Sequence, residues 1–524
     1  MFNYIQKMLR YLKLKSLENE EAEVRQDGAS GFSEDLESNL DLLRNIIAES
    51  SDLIIRRFTI GKRVRAAVIF IDGMTDKHML SETILKPLML FSADERLPET
   101  IDAEFLETAL LIAGSVDAIR SVNESIDLLL TGDTILLTDG SAEAISVCLR
   151  GWEARSVEEP KTESVVRGPR EGFNETLRVN TSLLRRKIKN PDLKFETIIL
   201  GERTHTEVCI AYLQGLAKPE LIEEIKRRLG KIKIDAVLES GYIEQLIEDA
   251  PYSIFSTVGN SEKPDKVAAK LLEGRAAILV DGSPFVLTVP CLFIESFQSV
   301  EDYYSRPFFA SVIRMLRFIA FFISILAPAL YVALSTFHQE LIPTPLLLSM
   351  AASHEGVPFP ASLEALVMLL FFEILREAGV RLPRPIGQAV SIVGALVIGD
   401  AAVSAGLIGA LMVIVVAVTA VSSFTVPAQT DSGSIIRLVL LLLASFMGGF
   451  GIAIGLFAMI IHMAGIKSFG EPYLLPIAPF DRSGFKDTFV RAPLWTMKKR
   501  PKNMATDEFR QNPSPGPPRK GGQK

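Results

Sequence analysis

Two glutamates, Glu364 and Glu373, lie inside LEALVMLLFFEILREAGVRLPRP (Leu363 to Pro385), among the most apolar stretches of the chain. A carboxylate in such surroundings is either neutralised by a partner or used to attract cations. The two acids are nine positions apart, about 900° along an ideal helix, so they point to opposite faces and cannot share one straight cavity. Glu373 and Glu377 are four apart and share a face. Arg376 follows Glu373 by three positions and Arg381 follows Glu377 by four, so each acid has a cation within reach on its own helix. Glu364 comes soon after Pro360, where an acid is favoured by the positive end of a helix dipole. Two readings stand: Glu364 caps its own helix and Glu373 makes a buried pair with Arg376, or one of them lines a cation path. Asp400, set among glycines and alanines with no basic residue nearby, is a third acid for such a path. Val357, just before PFP, is an apolar constriction or a plain packing residue.

Other chemistry finds little support. The repeated Asp-Gly-Ser (Asp139 to Ser141 and Asp281 to Ser283) lacks the lysine and spacing of a phosphate-binding loop and lies between strand-like runs, where Asp-Gly is a hairpin signal. His205, in ERTHTEV, has no HxxxH or CxxC partner, so a surface or inter-subdomain contact is expected and no metal site. No GxSxG, HExxH or Ser-His-Asp order occurs, so neither an enzyme nor a cofactor is expected. A net charge of -7 over 524 residues gives no nucleic-acid surface. The three cysteines, without CxxC spacing, fit reduced thiols in a cytoplasmic head.

The elements that position these residues divide near residue 315. Before it, charges are dense and two segments resemble each other. FIDGM and YLQGL place Gly73 and Gly215 142 positions apart, and GDTILLTDGS and GRAAILVDGS place Gly140 and Gly282 142 apart. One offset for two motifs indicates a duplication. The expected organisation is an N-terminal tail (1–32), an α/β subdomain (33–150), a charged linker (151–174) and a second α/β subdomain (175–312). An α-helical, polytopic membrane domain (313–466) and a largely disordered tail (467–524) follow.

Apolar runs of about twenty residues, the length that spans a bilayer, mark the membrane domain. Crossings are expected near 318–337, 361–375, 404–426 and 436–464, with a half-span over Ile386 to Gly399. The loop 338–362 has no Lys or Arg, whereas Arg314 and Arg317 precede the first run and Arg376, Arg381 and Arg384 follow the second. Head and tail therefore both face the cytoplasm, and the crossings are even in number. GGFGIAIG (Gly448 to Gly455) offers a small-residue face for close helix packing.

Several stretches carry a family likeness: LLLSMAASHEGVPFPASLEAL, EILREAGVRLPRPIGQAVSIVGALVIGDAAVSAGLI and SSFTVP in the second half, and DGSPFVLTVPCLF and FQSVEDYY in the head. From about residue 35 to 495 the chain resembles the A subunit of GerA-type spore germination receptors. The resemblance implies a multi-pass protein of the spore inner membrane that works with a transporter-like, nutrient-binding B subunit and a lipoprotein C subunit. It also implies a homo-oligomer around a nutrient-gated cation channel. The alternative is a scaffold or signal-transducing subunit whose partner carries the transport.

Overall fold

The computed structural model describes residues 31–47, 50–61, 63–90, 116–151, 163, 165–381, 399–482, 484–507 and 509. The half-span expected over Ile386 to Gly399 lies outside them except for Gly399.

The first subdomain opens with helix α1 (Leu36–Ile46) and the hairpin β1 (Leu53–Ile60) and β2 (Val64–Ile71). A helical segment from Lys77 to Leu90, with a π turn over Leu80–Leu85, comes next. Strand β3 (Val116–Ile119), helix α2 (Val122–Thr131) and strands β4 (Thr134–Thr138) and β5 (Ala144–Val147) complete it. The sheet runs β1-β2-β4-β5-β3, antiparallel throughout. The central strand β2 is almost wholly apolar because both its faces are covered. Ala67, Ile69 and Ile71 meet Leu40 and Leu43 of α1, and the alternate residues Ala66, Val68 and Phe70 meet Ile84 and Leu88.

The second subdomain repeats this plan with α3 (Leu177–Lys187), β6 (Leu193–Leu200), β7 (Thr206–Leu213), α4 (Pro219–Leu229) and α5 (Ser240–Ile247). Strand β8 (Gly259–Ser261), helix α6 (Pro264–Leu271) and strands β9 (Ala276–Val280) and β10 (Val286–Val289) follow. Its sheet order is β6-β7-β9-β10-β8. Strand β9 begins 142 positions after β4, and β10 begins 142 after β5.

The repeated Asp-Gly turns join the last hairpin of each copy to its first helix. Gly140 and Gly282 both take φ of 85°, the left-handed region that glycine enters freely. The Leu36 N–H donates to Asp139 Oδ1 at 3.3 Å, and the Leu177 N–H donates to Asp281 Oδ1 at 3.1 Å. The two copies are bound through a buried ion pair. Arg185 donates from Nε (3.0 Å) and Nη2 (2.9 Å) to Asp52, and neither side chain is exposed by more than 2%.

The helical half comprises α7 (Pro307–Thr336), α8 (Thr344–His354), α9 (Ala361–Arg381), α10 (Ala410–Ser423) and α11 (Thr430–Gly465). Among the described residues two segments are long and apolar enough to cross a membrane, Pro307–Thr336 and Pro427–Gly465. The second is folded back on itself at Gly448, whose φ of 58° and ψ of -139° break the helix. A Cβ on Gly451 would collide with the Leu443 carbonyl, and one on Gly455 would lie 2.6 Å from the Leu440 side chain, fifteen positions earlier. Such neighbours exist only if residues 449–465 return antiparallel along residues 430–447. The single long crossing expected over 436–464 is therefore corrected to a helical hairpin. Its tip rests on Phe337 at the end of α7, and the Gly449 N–H donates to His338 Nε2 at 3.1 Å. Both its feet reach the head: Gln429 donates to Ser296 Oγ (2.8 Å), and His462 Nε2 lies 2.9 Å from Ser253 Oγ.

One apolar core joins head and helices. Phe255, Phe293 and Phe297 pack with Phe318, Phe321 and Ile325 of α7 and with Ile436, Leu440 and Met463 of both hairpin limbs. The segment after α11 belongs to the same body, which corrects the expectation of a largely disordered tail for residues 467–507. Tyr473, Leu475 and Met504 are buried, Ser468 Oγ accepts the Cys291 N–H (2.9 Å), and the Thr506 N–H donates to the Leu216 carbonyl (2.9 Å). The lysines and prolines that suggested disorder alternate here with apolar anchors.

Candidate functional site

Glu364 is fully buried although it sits in the first turn of α9. It does not cap that helix. Its Oε2 accepts the Gly409 N–H (3.0 Å) at the start of α10, so the carboxylate faces the positive end of a neighbouring helix. Its Oε1 lies 3.1 Å from His354 Nδ1, yet no hydrogen bond is aligned to that oxygen. His354 Nε2 in turn is 2.8 Å from the Tyr331 hydroxyl. The chain Tyr331–His354–Glu364–Gly409 thus ties α7, α8, α9 and α10 together at the end of the bundle away from the head.

Glu373 occupies the opposite face and the other end of α9. Arg376 lies 2.7 Å away, Ser434 Oγ donates to Glu373 Oε1 (2.9 Å), and Arg437 Nη1 is 3.7 Å from the same oxygen. Arg376 also donates to Ser434 Oγ (3.2 Å). Two guanidinium groups therefore surround one carboxylate, and the site repels cations in this arrangement. Arg437 is 2% exposed with its Nε unpartnered, and its guanidinium stands 5.8 Å from the Phe372 ring centroid.

Glu377 pairs with Arg381 at 2.6 Å on an exposed surface. Val357 is half-buried in the turn after α8, where its N–H donates to the His354 carbonyl (3.0 Å). Asp400 is exposed and forms no ion pair among the described residues. His205, with φ of 47°, lies on the exposed turn between β6 and β7. Among the described residues no group of three or more His, Cys, Asp or Glu is placed to hold a metal ion.

At the foot of α7, Arg314 is wholly buried and bonds Asp302 (3.1 Å) and Asp487 (2.8 Å), while Arg317 bonds Asp302 (2.9 Å). The basic residues that flank the first apolar run thus also lock the head, the helix and the C-terminal segment together. Beside them Glu295 takes both Arg275 and Lys270, the latter at 2.8 Å. Burial pushes the Glu295 carboxyl up, but the Arg275 and Lys270 charges outweigh this and hold it at about 2. Burial, with the charge of Glu295, pushes the Cys291 thiol up to about 12, so that thiol is not a nucleophile.

Sequence reasoning missed His354, Tyr331 and Arg437 as partners of the two acids. Arg437 carried a signal, since it stands alone at the edge of an apolar run, the setting already suspicious for a glutamate.

A duplicated α/β head sharing a core with a helical half that carries polar clusters and membrane-length apolar segments defines the class of protein. The chain belongs to the Bacillus/Clostridium GerA spore germination protein family, whose model matches residues 41–503. It is 47% identical to spore germination protein KA of Bacillus subtilis (strain 168), covering 91% of this chain and 88% of that one. It is 41% identical to spore germination protein GerLA of Bacillus cereus, covering 89% and 95%. Among solved structures it is similar to the N-terminal domain of the A subunit of the Bacillus megaterium spore germinant receptor GerK3. That likeness has 35% identity and a TM-score of 0.40, over 51% of this chain and 98% of that domain.

Proposed function

We propose that this chain is a membrane subunit of a spore germinant receptor and that copies of it assemble around a nutrient-gated cation channel. The family match over residues 41–503 carries the receptor assignment. The bundle supports a multi-pass arrangement in the spore inner membrane. Phe446, Phe450 and Ile461 are 79%, 65% and 70% exposed, an apolar surface suited to lipid. Among the described residues, helices α7, α9 and α10 and the two limbs of α11 are passes. Head and tail lie at one level, and both face the cytoplasm. A transporter-like B subunit holds the nutrient and a lipoprotein C subunit stands on the outer side.

Within this reading Glu373 is a structural ion pair and Asp400 is the pore acid. Glu373 already has Arg376 and Arg437 beside it, whereas Asp400 is exposed and unpaired among the described residues. A ring of such acids from several copies would concentrate cations. Val357 and the cluster of Glu364 and His354, at the far end, sit where a gate would act. Reconstituting the three-subunit complex in potassium-loaded liposomes tests the proposal. Nutrient-triggered efflux is expected, and an intact, nutrient-binding complex that never conducts would count against it.

The scaffold reading draws on a different observation, the core shared by Phe255, Phe293, Phe321 and Leu440. Through it, movement of the hairpin is passed directly to the head. A scaffold has no ion selectivity of its own, so acid substitutions in this chain would leave selectivity unchanged.

A further inference from the structure

A cavity of about 700 Å³ opens between the exit of the second subdomain, the segment after α11 and the strip from Thr496 to Lys502. Seven basic and four acidic side chains line it. The acids are engaged within the protein: Glu295 by Arg275 and Lys270, Asp487 by Arg314 and by the Tyr303 hydroxyl (2.6 Å), Glu273 by Arg275 (3.5 Å), and Asp481 by the Gly484 N–H (2.9 Å). By contrast Arg482, Lys486, Lys498 and Lys502 form no ion pair among the described residues. Below them Arg275, 3% exposed, leaves its Nε without a hydrogen-bond partner. The cavity therefore presents an unneutralised positive field over a buried guanidinium, in a volume that suits a small molecule.

Its level in the molecule narrows the ligand. The wall residue Asp487 bonds Arg314 at the foot of α7, and the Arg491 N–H donates to Ser311 Oγ (3.0 Å) on the same helix. Around this foot Phe308, Phe309, Leu494 and Trp495 are 86%, 62%, 53% and 40% exposed. Exposed aromatic residues beside lysines mark the headgroup layer of a bilayer. We infer that the cavity binds a phosphate-bearing anion at the membrane surface, and that the phosphodiester headgroup of an anionic phospholipid supplies it. The inference rests on the membrane placement of α7 and is independent of conduction.

The test uses the full chain in nanodiscs of phosphatidylcholine with or without phosphatidylglycerol, with retained lipid counted by native mass spectrometry after extraction. A second arm titrates the detergent-solubilised chain with inorganic tripolyphosphate. The variant carries Lys486→Gln, Lys498→Gln and Lys502→Gln, all exposed positions. A control carries Lys189→Gln, Lys231→Gln and Lys233→Gln on the second subdomain. Wild type and control should retain phosphatidylglycerol equally, and the cavity variant should retain it at least about tenfold less, the loss expected when lysines leave an anionic surface. Phosphatidylcholine retention should not change. Tripolyphosphate binding with the same dependence and no lipid preference would support the phosphate site and move its source to solution. Equal retention and equal titration by wild type and cavity variant, or an equal loss in the control, would overturn the inference.

Discussion

Glu364 and His354 face each other 3.1 Å apart at the far end of the helical bundle, a buried carboxylate and an imidazole drawn from different helices. With Gly409 on the other carboxylate oxygen, this contact fixes how α8 and α10 sit against α9. Glu364→Ala should destabilise the chain by about 1–3 kcal/mol, because the Gly409 N–H loses its acceptor and His354 its partner inside the bundle. Glu364→Gln keeps an acceptor and should recover much of the loss. Thermal midpoints of the detergent-solubilised chain check this. An alanine variant as stable as wild type would show that the contact holds nothing.

The hairpin in α11 is testable by distance. Spin labels at Ile435→Cys and Ile461→Cys, both exposed, would stand roughly 39 Å apart on one straight helix. Antiparallel limbs bring them to under about 25 Å, two neighbouring helices plus the label arms. Double electron–electron resonance in a Cys148→Ser background measures this, since Cys148 is the exposed native thiol. A separation near the straight-helix value would refute the fold-back.

Stability should depend on pH through Glu295. Its pKa of about 2 in the folded chain is below the ordinary 4.5. The stability it contributes is therefore complete above about pH 4.5 and lost as pH falls through about 2. Glu295→Gln should cost about 3 kcal/mol at pH 7, and the gap to wild type should narrow at pH 3.5. Denaturant unfolding at the two pH values reads both; a gap that stays constant would remove Glu295 as its source.

The duplication was legible because turn glycines cannot drift: Gly140 and Gly282 hold the same positive φ, so their spacing survives. The first helices of the two copies match as well. GFSEDLESNLDLLR and GFNETLRVNTSLLR align 141 positions apart, and Asn39 and Asn180 make the same bonds, each donating to a carbonyl six residues earlier at 2.6 Å. The pairing of Glu373 with Arg376 could be read from a three-residue spacing. The contact of Glu364 with His354 could not, since nothing local links them. Glycine-rich apolar sequence looks alike whether it forms one long helix or two that turn back, so the hairpin was hidden. The order after residue 467 was hidden too, because widely spaced anchors such as Tyr473 and Met504 leave little local pattern.

We propose that this chain lines the conducting path, with Asp400 as its acid and Glu373 as a structural ion pair. Its most direct test is the potassium-to-chloride selectivity of the reconstituted complex carrying Asp400→Asn or Glu373→Gln. Asp400→Asn should lower cation preference with assembly intact. Glu373→Gln should lower the thermal midpoint, corresponding to roughly 1–3 kcal/mol for two guanidinium groups left without their carboxylate, and leave selectivity unchanged. Wild-type selectivity in the Asp400→Asn complex, or altered selectivity with undiminished stability in Glu373→Gln, would contradict it.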